Sequence, residues 1–165
     1  MSVVDVPELR AVESGLELFG REVTANLAGR HVLNLADGRR LIQAMTFVVN
    51  ACFATTSSPS AYYYARRRGA RREFVDLTRA CTTGVRDVIR AVPALPSGST
   101  TAQIEAAVVH CYDAAQPVLR AATTLVRTIK KSSHQDGWQP LARPVGASAG
   151  AGVSPAQRRT AGFPP

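Results

Sequence analysis

Residues 100–131 read TTAQIEAAVVHCYDAAQPVLRAATTLVRTIKK. Within them Ile104, Val108, Cys111, Ala115, Val118, Ala122, Leu125 and Ile129 recur at steps of 4, 3, 4, 3, 4, 3 and 4. Side chains three and four apart share one face of a helix, so this spacing predicts a helix that is apolar along one whole side. A stripe that long has to be buried against other helices. Thr100, with Gln103 three residues later, reads as the capping box that starts it. Pro117 removes one backbone donor and predicts a kink near Tyr112 to Gln116, although the stripe keeps its phase across it.

Three further helices lie upstream. Phe74, Leu77, Cys81, Val85, Val88 and Val92 predict a third helix that starts between Ala61 and Gly69 and is ended by Pro93 and Pro96. The second spans about Arg39 to Ala54. There Leu41, Met45, Val48 and Cys52 form one stripe and Ile42, Val49 and Phe53 another, so more than half its circumference is apolar. Arg30 to Gly38 reads as a connector, with Val32, Leu33 and Leu35 tucked under the helix ends. Asp37-Gly38 is a turn signal in which Asp37 caps the second helix. The first helix carries Leu9, Val12, Leu16, Phe19, Val23 and Leu27. Asp5 and Glu8 cap it, Pro7 sits in its first turn and Gly29 stops it. Gly15 and Gly20 each weaken that helix by roughly 1 kcal/mol relative to Ala, and admit a close neighbour.

Four amphipathic helices with short connections predict an all-α fold, an antiparallel up-and-down four-helix bundle over residues 1–131. Periodicity stops at Ser132. Residues 132–165 hold five of the ten prolines with many Gly, Ala and Ser, which predicts a disordered tail whose only aromatics are Trp138 and Phe163.

The whole chain of 165 residues is one domain's worth with a tail. Hydrophobic residues make up 45% and aromatics 6%, so the core is built from Ala, Val, Leu and Ile, which suits close-packed helices. Lys and Arg number 20 against 12 Asp and Glu, a net charge of +8 that favours an acidic partner: a peptide, anionic lipid or nucleic acid. Cys52, Cys81 and Cys111 have no metal-ligand spacing and fall within apolar patterns. They read as buried reduced thiols in a reducing compartment. Met1 to Leu9 lacks a signal-peptide pattern, and Leu41 to Thr55 is too short and too polar to span a bilayer. The expected location is cytoplasmic, or peripheral at a membrane or the cytoskeleton.

Catalytic signatures are missing from the sequence. It contains no GxGxxG and no GxxxxGK. His31, His110 and His134 are scattered. His110 and Cys111 point about 100° apart on a helix, which argues against a nucleophile pair. Glu13, Glu17 and Arg21 read as an exposed helix face. Neither an enzyme, a metal site nor a cofactor is expected. Two basic features remain. Arg66, Arg67, Arg68, Arg71 and Arg72 follow Tyr62, Tyr63 and Tyr64, a pattern able to grip phosphates while rings stack on bases, or to lie on an anionic membrane. Arg120, Arg127, Lys130 and Lys131 flank the apolar face of the fourth helix and suit docking of a partner's acidic amphipathic helix between the first and fourth helices. The competing explanation for Lys130 and Lys131 is complementation of the helix dipole. Self-association through Phe47, Phe53 or Tyr62 to Tyr64 is a further expectation.

Two runs carry a resemblance: RREFVDLTRACTTGVRDVIRAVP, then, after a Pro/Ser/Gly turn, VVHCYDAAQPVLRAATTLVRTIKKSS. These resemble the C-terminal focal-adhesion-targeting-type bundle of the GIT family of ArfGAP scaffolds. That family similarly ends in a helix with a Cys-aromatic-Asp patch, here Cys111, Tyr112 and Asp113. Small residues come next (Ala121, Ala122), then a Leu-Val pair (Leu125, Val126) and a basic end (Lys130, Lys131). Talin- and vinculin-type bundles share the same Ala/Thr/Val-rich flavour. The resemblance covers about sixty residues and implies a non-enzymatic adaptor domain for short acidic Leu/Asp-type helices. Pro117 and the Tyr/Arg segment depart from the family pattern.

Overall fold

The computed structural model describes residues 6–28, 32–91 and 95–136. They are all helical or connecting: α1 (Pro7–Ala28), α2 (Leu35–Thr56), α3 (Pro59–Arg67), α4 (Arg71–Ala91) and α5 (Thr101–Asp136). No strand occurs among the described residues. The stripe of residues 100–131 is the spine of the core. Ile104, Cys111, Ala115, Val118, Ala122, Leu125 and Ile129 are buried, and Val108 is half-buried. The Thr100–Gln103 capping box forms as the sequence requires, with the Thr100 amide donating to Gln103 Oε1 at 2.9 Å and the Gln103 amide to Thr100 Oγ1 at 3.3 Å. Helix α5 continues through Pro117, which lies on its exposed side. It runs on to Asp136, five residues beyond the point where the apolar periodicity stops.

The start of α2 differs from the sequence reading. Asn34, not Asp37, is the cap: its Oδ1 accepts the Asp37 amide at 2.8 Å, and Asp37 Oδ2 accepts the Asn34 amide at 3.5 Å. This reciprocal pair satisfies two of the helix's free donors and moves the start back to Leu35. Asp37-Gly38 is therefore helix rather than turn. Gly38 is glycine because α5 comes so close: a Cβ there would lie 2.5 Å from Ile104 Cγ2. Leu33 and Leu35 are half-buried as expected, but Val32 is 66% exposed.

The expected third helix is two helices. Ser58 caps α3, with Pro59 in its first turn. At its end the Ala70 amide donates to the Ala65 carbonyl at 2.8 Å and the Gly69 amide to the Arg66 carbonyl at 3.1 Å. With Gly69 at φ +71°, this is a Schellman stop. Ala65 and Ala70, the pair that such a stop brings together, are both fully buried. Helix α4 then buries Phe74, Leu77, Cys81, Gly84, Val88 and Ala91.

Named contacts show which ends meet. Thr55, at the end of α2, donates to the Ala51 carbonyl at 2.8 Å and lies 3.2 Å from the Glu8 carbonyl at the start of α1. Phe47 and Val48 close over Gly15, whose lack of a side chain admits them. Gly84 of α4 sits against Val118 of α5, and Arg39 Nη2 at the start of α2 donates to the Leu95 carbonyl at 2.6 Å. Helix α2 packs on α1, α4 and α5; α4 packs broadly on α5; α1 meets α5 only sparsely. The Asp5 cap, the Gly29 stop, Pro93 and the tail residues 137–165 with Trp138 and Phe163 lie outside the described residues.

Candidate docking groove

Because α1 leans on α2 and barely touches α5, the α1–α5 seam stays open. It forms a groove of about 670 Å³. Leu16 and Phe19 from α1 and Leu119 and Val126 from α5 make an apolar floor. Tyr112 closes one end by stacking on Phe19, with ring centroids 6.2 Å apart and planes 20° from parallel. From Tyr112 to Lys130 the groove follows α5 for about 27 Å. Beyond the two rings lies a second hollow of about 400 Å³, lined by Val23, Leu41, Met45, Val108 and Val109, with the Asn26 side chain as its polar group.

Of the four cations that the sequence marks as a docking set, three line the groove. Arg120 and Arg127 are exposed on its α5 rim. Lys130 is half-buried and ion-paired with Glu13 across the seam. Lys131 is exposed and is not among the lining residues. Since α5 runs on to Asp136, Lys130 and Lys131 stand more than a turn before its end, so the helix-dipole explanation loses its footing. Glu13 corrects the sequence reading. It faces α5 and is buried, not exposed with Glu17 and Arg21, because its position on α1 turns toward the seam. The rims therefore differ in sign: Arg120 and Arg127 on α5, Glu17 on α1.

As site residues, Tyr112 and Val126 enter the sequence reading only through the family resemblance, and Leu119 not at all. Their signal is a second, heptad-spaced row beside the main stripe.

The Tyr/Arg segment is pulled apart by the α3–α4 break. Tyr62 packs edge-on against Phe74, centroids 5.5 Å apart, and Tyr64 is half-buried with the Arg68 guanidinium 5.3 Å from its ring centre. Both rings already have structural work. Tyr63 stays 60% exposed, and the side chains of Arg66, Arg67, Arg71 and Arg72 around the break are exposed as well.

Among the described residues no three His, Cys, Asp or Glu come together in a way that could hold a metal ion. Cys52, Cys81 and Cys111 are free and buried. Burial pushes all three thiols up: Cys81 to about 11, Cys52 further, with Cys81 nearby adding to it. Thiols so shifted are protonated and poor nucleophiles at neutral pH. His110 is exposed while Cys111 faces the core. Among the described residues no helix is long and apolar enough to cross a membrane. No family model matches the chain, and neither a curated protein nor a solved structure matches it.

Proposed function

We propose that this chain is a non-enzymatic adaptor module that docks a partner's amphipathic helix in the α1–α5 groove. In this reading α1, α2, α4 and α5 act as an antiparallel up-and-down bundle, and the groove is the seam that bundle packing leaves unfilled. The observation that carries it is a groove that follows α5 for about 27 Å, with an apolar floor and with cations on one rim only. A helix of about fifteen residues, roughly 22 Å, fits that length. Its apolar stripe covers Leu16, Leu119 and Val126. Its acidic edge faces Arg120 and Arg127, and its other edge avoids a negative charge opposite Glu17. Apolar contact supplies most of the affinity, and the arginines supply orientation and on-rate. The resemblance to the GIT-type bundle, with its acidic Leu/Asp-type partners, agrees with this reading. So does a cytoplasmic setting, where buried free thiols persist.

The test is fluorescence anisotropy with a labelled amphipathic peptide carrying Leu on one face and Asp or Glu along one edge. Reversing both arginines (Arg120→Glu with Arg127→Glu) is expected to weaken binding by about tenfold or more, with an unchanged melting temperature because both are exposed. Equal binding by the double variant refutes the site.

A second reading rests on the exposed Arg66, Arg67, Arg71 and Arg72 at the α3–α4 break: binding of a polyanion, either anionic lipid or single-stranded nucleic acid. It requires affinity for anionic vesicles or oligonucleotides that falls steeply with salt and is lost when these four are neutralised.

A further inference from the structure

From Leu41 to Ala65 the chain carries no charged residue, although its net charge is +8. Most of that run is α2. The exposed residues of α2 within it are Gln43, Phe47, Asn50, Phe53 and Ala54, followed by the C-cap Ser57. At 100° per residue Asn50 lies at the middle of this face. Gln43 and Ser57, seven residues to either side, fall within about 20° of it. Phe47 and Phe53, three residues to either side, fall about 60° to its left and right. They are 50% and 54% exposed, an unusual state for phenylalanine on a helix with so little else to show solvent.

We infer that this face pairs with the same face of a second copy, as an isologous dimer in which the two α2 helices run antiparallel across Asn50. The arrangement of residues supplies the two-fold. With the dyad at residue 50, Asn50 meets the partner's Asn50. Phe47 lies at the level of the partner's Phe53, and Gln43 at the level of the partner's Ser57. The phenylalanines occupy opposite sides of the face, so the rings of the two copies sit side by side instead of colliding. The two central amides can hydrogen-bond each other.

Charge selects both the occupant and its direction. Two copies of a chain at +8 repel, and this uncharged face lets helices of like proteins approach without opposing cations. A parallel pairing would stack Arg39 and Arg40 of one copy on those of the other. The antiparallel one carries them level with positions 61 and 60, past Thr56 at the end of the partner's α2, so the arginines of the two copies stay at opposite ends of the pair. The area available on one helix face belongs to the class of weak, transient complexes. The pairing is independent of the α1–α5 groove, whose lining residues do not include this face.

Sedimentation velocity of the full chain from about 10 to 500 µM is expected to show a reversible dimer, a range suited to weak interfaces of this class. Asn50→Asp places two carboxylates on the dyad and is expected to weaken dimerisation by about tenfold or more, with an unchanged melting curve because residue 50 is exposed. Cysteine pairs read the register. Asn50→Cys is expected to form a disulfide-linked dimer under mild oxidation. Gln43→Cys alone is not, since antiparallel packing holds the two positions about 21 Å apart, far beyond disulfide reach. A mixture of Gln43→Cys and Ser57→Cys is expected to cross-link. The native thiols are buried and do not compete. Three results overturn the inference: a monomer at every concentration, a dimer indifferent to Asn50→Asp, or Gln43→Cys linking to itself as readily as Asn50→Cys.

Discussion

Substituting Gly38 by alanine sets two opposed effects against each other. Gly38 lies in the first turns of α2, buried beneath α5. Replacing a helical glycine by alanine ordinarily stabilises by up to about 1 kcal/mol. Here the new Cβ would lie 2.5 Å from Ile104 Cγ2, 3.7 Å from Val108 Cγ2 and 3.8 Å from Leu95 Cδ1. The first contact is the decisive one. Ile104 is β-branched and stiff at χ1, and it is itself buried, so its methyl cannot swing aside and one helix must shift. Overpacking of this kind costs about 1–3 kcal/mol, which outweighs the propensity gain. Gly38→Ala is expected to lose about 1–2 kcal/mol net. Two companions sharpen the experiment. At Gly20 nothing lies within 4 Å of an added Cβ, so Gly20→Ala is expected to gain about 0.5–1 kcal/mol. Ile104→Leu removes the offending methyl from Cβ and is expected to restore much of the loss in the Gly38→Ala background. Urea unfolding followed by circular dichroism reads all three from the midpoint, with the slope unchanged. If Gly38→Ala is as stable as the wild type, the close α2–α5 approach is wrong.

The core supports two further predictions. Thr55→Val keeps the shape but removes the hydroxyl that joins the end of α2 to the Glu8 carbonyl; about 1 kcal/mol is expected to be lost, and a smaller effect than Thr24→Val, whose hydroxyl bonds only within its own exposed turn, counts against that link. For Cys81 the folded thiol titrates at about 11 against an ordinary 9.0, because burial disfavours the thiolate. The raised folded value means its contribution to stability is complete below pH 9. It declines between 9 and 11, as the unfolded chain loses its proton first. The urea midpoint of the wild type should therefore fall more steeply over that range than that of Cys81→Ala, and parallel curves would remove Cys81 as a cause.

How far each element was legible depends on whether its signal is local. The capping box at Thr100 and the stripe of α5 were readable because they depend on residues three and four apart. The break at Gly69 was only half readable. A glycine after a basic run is a common stop, but the α4 stripe continues the apolar pattern closely enough to blur it. The Asp37-Gly38 turn signal misled for a similar reason. Asp and Gly favour turns locally, but Asn34 offered a better cap, and Gly38 answers a neighbour sixty-six residues away. In the groove, spacing alone put Arg120 and Arg127 on one side of a helix together with Lys131, at steps of 7 and 4, whereas the packing of α1 brings Lys130 into the groove and leaves Lys131 outside it. Glu13 could not be placed from spacing, because only the packing of α1 shows that its carboxylate meets Lys130.

Periodicity and local capping act within a few residues. They are enough to make this chain helical, to set which faces of its helices are apolar and to fix where its cations fall along α5. Packing in three dimensions settles the rest: α1 leans on α2 and leaves its seam with α5 open, Tyr62 and Tyr64 are drawn into the fold, and Phe47 and Phe53 stay half exposed. Each of these depends on which helices approach most closely. That is governed by small residues such as Gly15, Gly38 and Gly84 meeting particular partners across the core, contacts between positions far apart in the chain that no local pattern encodes.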